Sequence, residues 1–228
     1  MGAVRVIEGR LKAMRLPPKV ALVFHALTYA LYCAAWGWHL SPAATKLPGH
    51  SGFGWFFRYL TFCGFTLQLI QLLICTASHF ARRGHWLKRA SDDLSSAIFA
   101  LAITITILYH VIKYSGQKVV EGGKVERPPW LDFTVHVGNS VIACVDLILC
   151  KRSFSKLAEK LCLAIAASYL LWIMVVKEVT GIYPYPFLNK LPQPWGFVAF
   201  IIGSLLVFFG IFHGGRTVSR ALRRKAKA

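Results

Sequence analysis

Apolar residues fall in six long blocks along this chain, and polar residues fall between them. The blocks span roughly residues 20–38, 57–79, 94–114, 131–150, 160–179 and 195–213. Each is close to the ~20 residues that an α-helix needs to cross the hydrocarbon core of a bilayer. The pattern therefore predicts an all-α polytopic membrane bundle of about six transmembrane helices over residues 20–213.

Short basic segments flank this predicted domain, 1–19 before it and 214–228 after it. The first apolar block begins near Lys19 and is about as long as a span. We therefore expect a retained signal anchor rather than a cleaved signal peptide.

Local signals mark where the spans begin. Pro17-Pro18 precedes the first span and Pro128-Pro129 the fourth, and prolines are typical of helix starts. Ser91-Asp92-Asp93 is a candidate N-cap for the third span. The aromatic cluster within 53–57 opens the second, and Pro192-Gln193-Pro194-Trp195 precedes the sixth.

The distribution of charge excludes a nucleic-acid-binding domain and predicts an orientation. The 228 residues are 56% hydrophobic, with a mean hydropathy of +0.52 and a formal net charge of +18. The basic residues cluster between apolar blocks, so we interpret them as topology and lipid-headgroup charges. Nineteen of the 27 Lys and Arg residues would lie on one side of the membrane and eight on the other. By the positive-inside rule we expect both termini in the cytosol.

The six cysteines lie in apolar blocks and form no Cys-x-x-Cys pair. Because no zinc-ligand spacing is present, we expect reduced, buried thiols and predict neither a metal nor a cofactor.

The fourth block carries polar and ionisable residues at hydrocarbon depth. Asp132, His136, Asn139 and Ser140 are spaced by four, three and one residues, which places them on one helical face. Ionisable side chains inside a membrane are costly unless paired or hydrated, and they often mark functional sites.

Asp146 belongs to a different depth of the same block. It lies about 15 Å deeper than His136 at 1.5 Å per residue, so it cannot orient that histidine directly. We expect it to pair with Lys151 or Arg152 at the inner rim or to belong to a polar interior.

Thr61 and His136 lie at similar expected depths, about 6 and 9 Å below the outer or lumenal surface. A threonine hydroxyl is a poor nucleophile unless a nearby base takes its proton. His136 could be that base, with Asp132 one turn outward orienting its second ring nitrogen. Asn139 and Ser140, on the same face, are candidate oxyanion donors.

Each residue also has a structural interpretation. Thr61 could bond to a backbone carbonyl one turn earlier. His136 could join neighbouring helices, and Asp132 could be a hydrated carboxylate or be stabilised by the helix dipole. His110, in the outer third of span three, competes with His136 or else faces the bundle. A metal site from His110, His136 and Asp132 has no supporting sequence spacing.

The last outer loop, 177–194, is rich in aromatic residues and prolines, which suit a rigid cap at the membrane interface. The candidates for covering a site are Tyr183, Tyr185, Pro186 and Phe187.

Three patches of the chain are similar to those of a known family. They are Phe57-Arg58-Tyr59-Leu60-Thr61-Phe62, Trp130-Leu131-Asp132-Phe133-Thr134-Val135-His136, and Val179-Thr180-Gly181 with Tyr185-Pro186-Phe187-Leu188. In order and spacing they resemble the androgen-induced-gene family of multi-span membrane hydrolases, which act on fatty acid esters of hydroxy fatty acids. The resemblance implies that Thr61 is the nucleophile and His136 the base.

The chain departs from the family pattern at three positions. Phe133 replaces the first histidine of a His-x-x-His segment, and Asp132 replaces an asparagine. Gly64 stands where a polar residue often follows the threonine by three positions. We expect these changes to affect substrate choice and rate more than the nucleophile and base.

The resemblance implies an intramembrane lipid-ester hydrolase that interacts with membrane lipids and a lipid-ester substrate, not with nucleic acid. Its expected location is the endoplasmic reticulum or the plasma membrane. The alternative is a non-catalytic membrane protein that binds lipids, acts as a scaffold or transports small molecules. The lack of a recognisable oxyanion hole and the histidine lost at Phe133 support that alternative, whereas no internal repeat supports a transporter.

Overall fold

The computed structural model describes residues 18–116 and 127–225. The predicted basic segment 1–19 lies almost wholly outside these ranges, as do Lys118, Lys124 and residues 226–228.

Seven α-helices make up most of the described part. They are α1 (Pro18–Trp38), α2 (Leu60–Ser78), α3 (Trp86–Tyr114), α4 (Pro129–Cys150), α5 (Lys156–Thr180), α6 (Pro186–Lys190) and α7 (Trp195–Lys225). All except the short α6 are long and apolar enough to cross a membrane. The described ranges contain no β-strand. The predicted all-α bundle with six candidate spans is therefore confirmed.

The start of α3 differs from its prediction. The helix begins eight residues before the predicted 94. The N-cap predicted at 91–93 is wrong, because these carboxylates bind a different segment. Asp92 accepts from the Ser153 N–H at 3.1 Å, and Asp93 accepts from the Ser155 hydroxyl at 2.5 Å.

Two other helices also have shifted ends. The aromatic cluster predicted to open the second span forms a 3-10 turn, Trp55–Arg58, and α2 begins at Leu60. α7 continues through residue 213 to Lys225. Its last turns pack on the loop after α4, where Arg223 Nε donates to the Lys151 carbonyl at 2.8 Å.

α3 is the central helix and packs against α2, α4, α5 and α7. Its Ala97, Ala100 and Ala102 are almost fully buried, and small residues allow membrane helices to approach closely. The approach of α2 depends on Gly64, where a Cβ atom would lie 2.3 Å from Ile105 Cδ1. Tight packing is therefore a physical reason for glycine at this position.

A buried ion pair ties α4 to the loop that follows it. Arg152 Nε and Nη2 donate to the two Asp146 carboxylate oxygens at 2.9 and 2.7 Å. His25 Nε2 lies 2.7 Å from Asp146, and His25 Nδ1 lies 2.9 Å from His79 Nε2. The expected pairing of Asp146 with Arg152 is thus observed. We call this end of the bundle, which holds Ser78 and Cys150, the basic end, and the opposite end the cap end.

Arg152 also joins further helices at the basic end. Its Nη1 donates to Ser91 Oγ on α3 at 2.9 Å, and its Nη2 lies 3.2 Å from Cys75 Sγ on α2. Burial opposes the charge, but Asp146 outweighs this effect and holds the pKa of Arg152 well above its ordinary value. The guanidinium is therefore a charged structural centre and not a headgroup contact.

We expect Asp146→Asn to lower the free energy of unfolding by about 3–5 kcal/mol, because it leaves the Arg152 charge buried without a counter-ion. Thermal unfolding in detergent micelles measures the effect. Glu159→Gln is the matched control, since Glu159 makes only partly exposed pairs, with Arg216 at 3.6 Å and with His213 at 3.8 Å. This substitution should cost at most about 1 kcal/mol. Equal melting temperatures for the two variants would contradict the structural role of the buried pair.

We expect Gly64→Ala to lower stability by about 1 kcal/mol, because overpacking against Ile105 outweighs the helix propensity that alanine gains. Adding Ile105→Val removes the clashing methyl group, so the double variant should recover the loss. Thermal unfolding in detergent micelles measures both variants. If Gly64→Ala were more stable than the wild type, α2 and α3 would not be in close contact at this position.

Candidate active site

An apolar cavity of about 320 Å³ lies between α2, α3, α5 and α7. Along α3 its lining runs from Leu101 to Ile112, about 16 Å at 1.5 Å per residue. Thr61 and Tyr109 line it, together with residues of the predicted cap. The shape and lining suit a long hydrocarbon chain.

Thr61 is in the first turn of α2, and its hydroxyl makes no hydrogen bond within the described residues. Each of the other nine threonines in those residues has at least one. The carbonyl one turn earlier, that of Phe57, is occupied by Trp172 Nε1 at 2.9 Å and Cys63 Sγ at 3.0 Å. The back-bonded interpretation of Thr61 is therefore not observed, and the hydroxyl remains available to a ligand.

His136 is buried and is oriented by Asp132. Its Nδ1 lies 3.0 Å from Asp132 Oδ1 and 3.1 Å from the Asp132 carbonyl. Since both neighbours are acceptors, they assign the proton to Nδ1 and leave Nε2 as the basic nitrogen. The predicted orienting contact of Asp132 is present.

Tyr109 completes this cluster and connects it to the cavity. Its ring stacks on His136, with centroids 3.8 Å apart and planes 9° from parallel. Its hydroxyl donates to Asp132 Oδ2 at 3.1 Å. The polar residues Thr106 and Tyr109, one turn apart in an apolar helix, are the sequence signal that could have identified it.

The polar face of α4 that the spacing predicts packs against α3, and it includes a π-helical turn at Thr134–Gly138. The Thr106 hydroxyl donates to the His136 carbonyl at 2.6 Å, while the Ser140 N–H donates to Asn139 Oδ1 at 2.7 Å. A side chain from a neighbouring helix that bonds to a backbone carbonyl disturbs the regular pattern of helical hydrogen bonds. π-helical turns are frequent at functional sites.

The two oxyanion candidates differ in whether a hydrogen-bond donor remains unused. The Ser140 hydroxyl is 2.9 Å from the Ala102 carbonyl and 2.5 Å from Thr106 Oγ1. Asn139 Nδ2 is buried and has no hydrogen-bond partner among the described residues. Only Asn139 therefore retains an unused donor.

The nucleophile and base candidates lie on neighbouring segments. Phe62, next to Thr61, and Val135, next to His136, belong to one buried cluster. No hydrogen bond joins Thr61 to His136 in the described structure. Tyr109 connects the two candidates, because it lines the cavity with Thr61 and its ring stacks on His136.

The other predicted residues are placed as follows. His110 Nδ1 donates to the Thr106 carbonyl at 2.8 Å, and this histidine, like His136, is outside the cavity lining. Phe133 is 56% exposed on the bundle surface, so the histidine lost there would point away from the cavity. Ligand-type side chains do converge at the basic end, where His25, Asp146 and Cys150 meet, but Asp146 is already bound to Arg152.

The predicted cap contributes two of its four residues to the cavity, Tyr185 and Phe187. The Tyr185 hydroxyl accepts from the Leu60 N–H at 2.8 Å, next to Thr61, and burial raises its pKa well above the ordinary value. Tyr183 instead stacks on Phe197, with centroids 4.8 Å apart, and Pro186 begins α6 without lining the cavity.

A family model for FAR-17a/AIG1-like proteins matches residues 20–220, nearly the whole described bundle. The chain is 20% identical to the human androgen-induced gene 1 protein over 185 residues, which cover 73% of this chain and 74% of that protein. It is 23% identical to a UPF0641 membrane protein of Schizosaccharomyces pombe over 195 residues, covering 82% and 85% of the two chains. No solved structure matches it. The extent of the family match shows that this chain belongs to the FAR-17a/AIG1-like family of membrane proteins.

Proposed function

We propose that this protein hydrolyses carboxylic esters of lipids within the membrane, with Thr61 as nucleophile and His136 as base. One observation carries the proposal: the Thr61 hydroxyl has no hydrogen bond in the described residues and lines an apolar cavity together with Tyr109, whose ring stacks on a histidine oriented by Asp132. The family to which the chain belongs supports the same class of reaction, and fatty acid esters of hydroxy fatty acids are the substrate class that the resemblance implies.

The reaction has two acyl-transfer steps. Thr61 Oγ1 attacks the ester carbonyl carbon while His136 Nε2 takes its proton, and the tetrahedral intermediate then expels the alcohol, which receives that proton. Water attacks the resulting threonine ester while His136 takes its proton, and the second tetrahedral intermediate expels Thr61 Oγ1, which receives that proton as the carboxylic acid is released. Asp132 stabilises the imidazolium that forms in each step.

Two further side chains have roles in this mechanism. Asn139 Nδ2, a buried donor without a partner in the described structure, is the stronger oxyanion candidate. Tyr109 covers one face of His136 and lines the cavity, so we propose that its ring moves when substrate binds and opens the space between His136 and the cavity. Catalytic hydrogen bonds are often formed only when substrate is bound.

We expect Thr61→Ala and His136→Ala each to lower kcat for a long-chain lipid ester by about 10³-fold or more, because they remove the nucleophile and its base. Turnover by the full chain in detergent micelles measures this loss. Thr61→Ser keeps a hydroxyl and should retain measurable activity. A fluorophosphonate probe should label the wild type and Thr61→Ser but not Thr61→Ala.

Two control variants test whether the effect is specific. Thr104→Ala removes a threonine that lines the same cavity but bonds to the Ala100 carbonyl at 2.8 Å, and His110→Ala removes the competing histidine. Both should keep near-normal kcat. Normal ester hydrolysis by Thr61→Ala would eliminate the proposed mechanism, and loss of activity in His110→Ala alone would move the base to His110.

A non-catalytic lipid-binding protein is the second candidate. The missing hydrogen bond between Thr61 and His136 favours it, because an activated nucleophile is normally within reach of its base. In that case purified protein would retain a lipid, no variant would change ester hydrolysis, and the fluorophosphonate probe would not react.

We also propose that both termini face the cytosol and that the protein resides in the endoplasmic reticulum or plasma membrane. The charge asymmetry supports this orientation. An Asn-Gly-Thr acceptor inserted after Gly52 at the cap end should be glycosylated in microsomes. The same insertion after Arg83 at the basic end should not be modified, and the reverse pattern would contradict the orientation.

A further inference from the structure

The start of α2 holds the hydroxyl of Tyr185 close to Thr61. This hydroxyl accepts a hydrogen bond from the Leu60 N–H at 2.8 Å, and Leu60 directly precedes Thr61 in the chain. Because adjacent Cα atoms are about 3.8 Å apart, the hydroxyl lies at most about 8 Å from the Thr61 Cα atom. Tyr185 and Thr61 also line the same apolar cavity. A small group attached to Thr61 Oγ1 can therefore reach the phenol.

Tyr185 has a proton that the protein uses weakly. A phenol has one O–H donor and accepts through its oxygen lone pairs. The Tyr169 hydroxyl donates to the Arg58 carbonyl at 3.1 Å and lies 3.3 Å from the Tyr185 hydroxyl. Within the described residues, Tyr169 is the one group placed to accept the Tyr185 proton, and its distance is longer than that of an ordinary O–H···O hydrogen bond. This proton is therefore free to turn toward a better acceptor in the cavity.

The phenol of Tyr185 remains protonated at neutral pH. Tyr185 lies in the loop between α5 and α7, and burial raises its pKa well above the ordinary value. The hydroxyl is therefore a hydrogen-bond donor to a ligand and not a base.

The loop around Tyr185 is held in place by Asn189. The Asn189 amide donates to the Tyr183 carbonyl at 3.1 Å, and its Oδ1 accepts from the Tyr183 N–H at 2.9 Å. The Tyr185 ring also meets the Tyr59 ring edge-on, with centroids 5.8 Å apart. A donor that is fixed before substrate binds needs no reorganisation during the reaction.

The proposed reaction creates negative charge where this donor lies. Attack by Thr61 Oγ1 turns the ester carbonyl oxygen into an oxyanion, and an apolar cavity offers a charged oxygen almost no solvation. Thr61 is in the first turn of α2, whose amino-terminal end favours negative charge. The unused donor of Asn139 lies outside the cavity lining, whereas Tyr185 is part of it.

We propose that the Tyr185 hydroxyl is an oxyanion donor in the ester hydrolysis proposed above, on which this assignment rests. In the resting site its proton has only the long contact with Tyr169. In the transition state that contact is exchanged for a hydrogen bond to a charged oxygen, which is about twice as strong as one between neutral groups. Because this bond strengthens only in the transition state, it accelerates the reaction. The proton stays on Tyr185 in both acyl-transfer steps.

Kinetics of full-length protein in detergent micelles test this role. Tyr185→Phe keeps the ring and removes the hydroxyl, so kcat for p-nitrophenyl hexadecanoate should fall about 10²- to 10³-fold, the usual effect of removing one oxyanion donor. KM should stay close to that of the wild type, since the interaction is absent from the ground state. Tyr183→Phe is the matched control from the same loop, because its hydroxyl bonds to Lys177 at 3.3 Å and lies outside the cavity lining. It should leave kcat near normal.

A second measurement separates oxyanion stabilisation from a structural contact between the loop and α2. Palmityl trifluoromethyl ketone accepts Thr61 Oγ1 at its carbonyl carbon, and its carbonyl oxygen becomes an oxyanion, whereas hexadecanol fills the cavity without forming one. Tyr185→Phe should weaken inhibition by the ketone by about the same factor as kcat, because both depend on the same donor. Binding of hexadecanol should be unchanged, which shows that the cavity of the variant is intact.

Three results would overturn the assignment of Tyr185. They are a normal kcat in Tyr185→Phe, an equal loss of hexadecanol and ketone binding in that variant, and an equal loss of kcat in Tyr183→Phe. The two proposals are separated by Thr61→Ala. If Thr61→Ala is inactive and Tyr185→Phe is normal, the Tyr185 assignment fails alone. If Thr61→Ala hydrolyses the ester at the wild-type rate, the threonine mechanism fails and the Tyr185 assignment fails with it.

Discussion

The absence of water inside an apolar bundle constrains every polar group of this protein, because each must find a partner within the chain. At the basic end that requirement is met: Asp146, Arg152, His25 and their neighbours bond to one another across four helices. Toward the cap end it is not met, since Arg127 Nε and Asn139 Nδ2 are buried without partners in the described structure. The satisfied network holds the helices together, and Asn139 belongs to the site that we propose for catalysis.

Much of this arrangement follows from spacing and composition. Span-length apolar blocks predict the bundle, and a four-residue interval predicts that Asp132 and His136 touch. Both are consequences of helical geometry alone, which is fixed before tertiary contacts form. The pairing of Asp146 with Arg152 is similar, because a buried acid near a helix end needs a cation from the adjoining loop.

The remaining features depend on contacts between distant segments, which no local pattern encodes. The π-turn around His136 accompanies a hydroxyl supplied by Thr106 on another helix. The carboxylates at 92 and 93 resemble a helix cap locally, yet bind the loop at 153–155. In the sequence Arg127 resembles the other loop charges, whereas in the structure its Nε is buried and charged or phenolic side chains surround it. Tertiary structure overrides the local signal in each case.

The cavity is walled by α5 and α7 as well as by α2 and α3, and its lining is almost entirely hydrocarbon. A hydrocarbon ligand that fits it therefore also partitions into the bilayer, the same two-dimensional phase that holds the protein. Occupancy is then set by the mole fraction of that lipid among its neighbours and not by its concentration in water. Acyl chains throughout the membrane compete for the apolar wall, so the few polar groups of the lining add the contacts that distinguish one lipid from another.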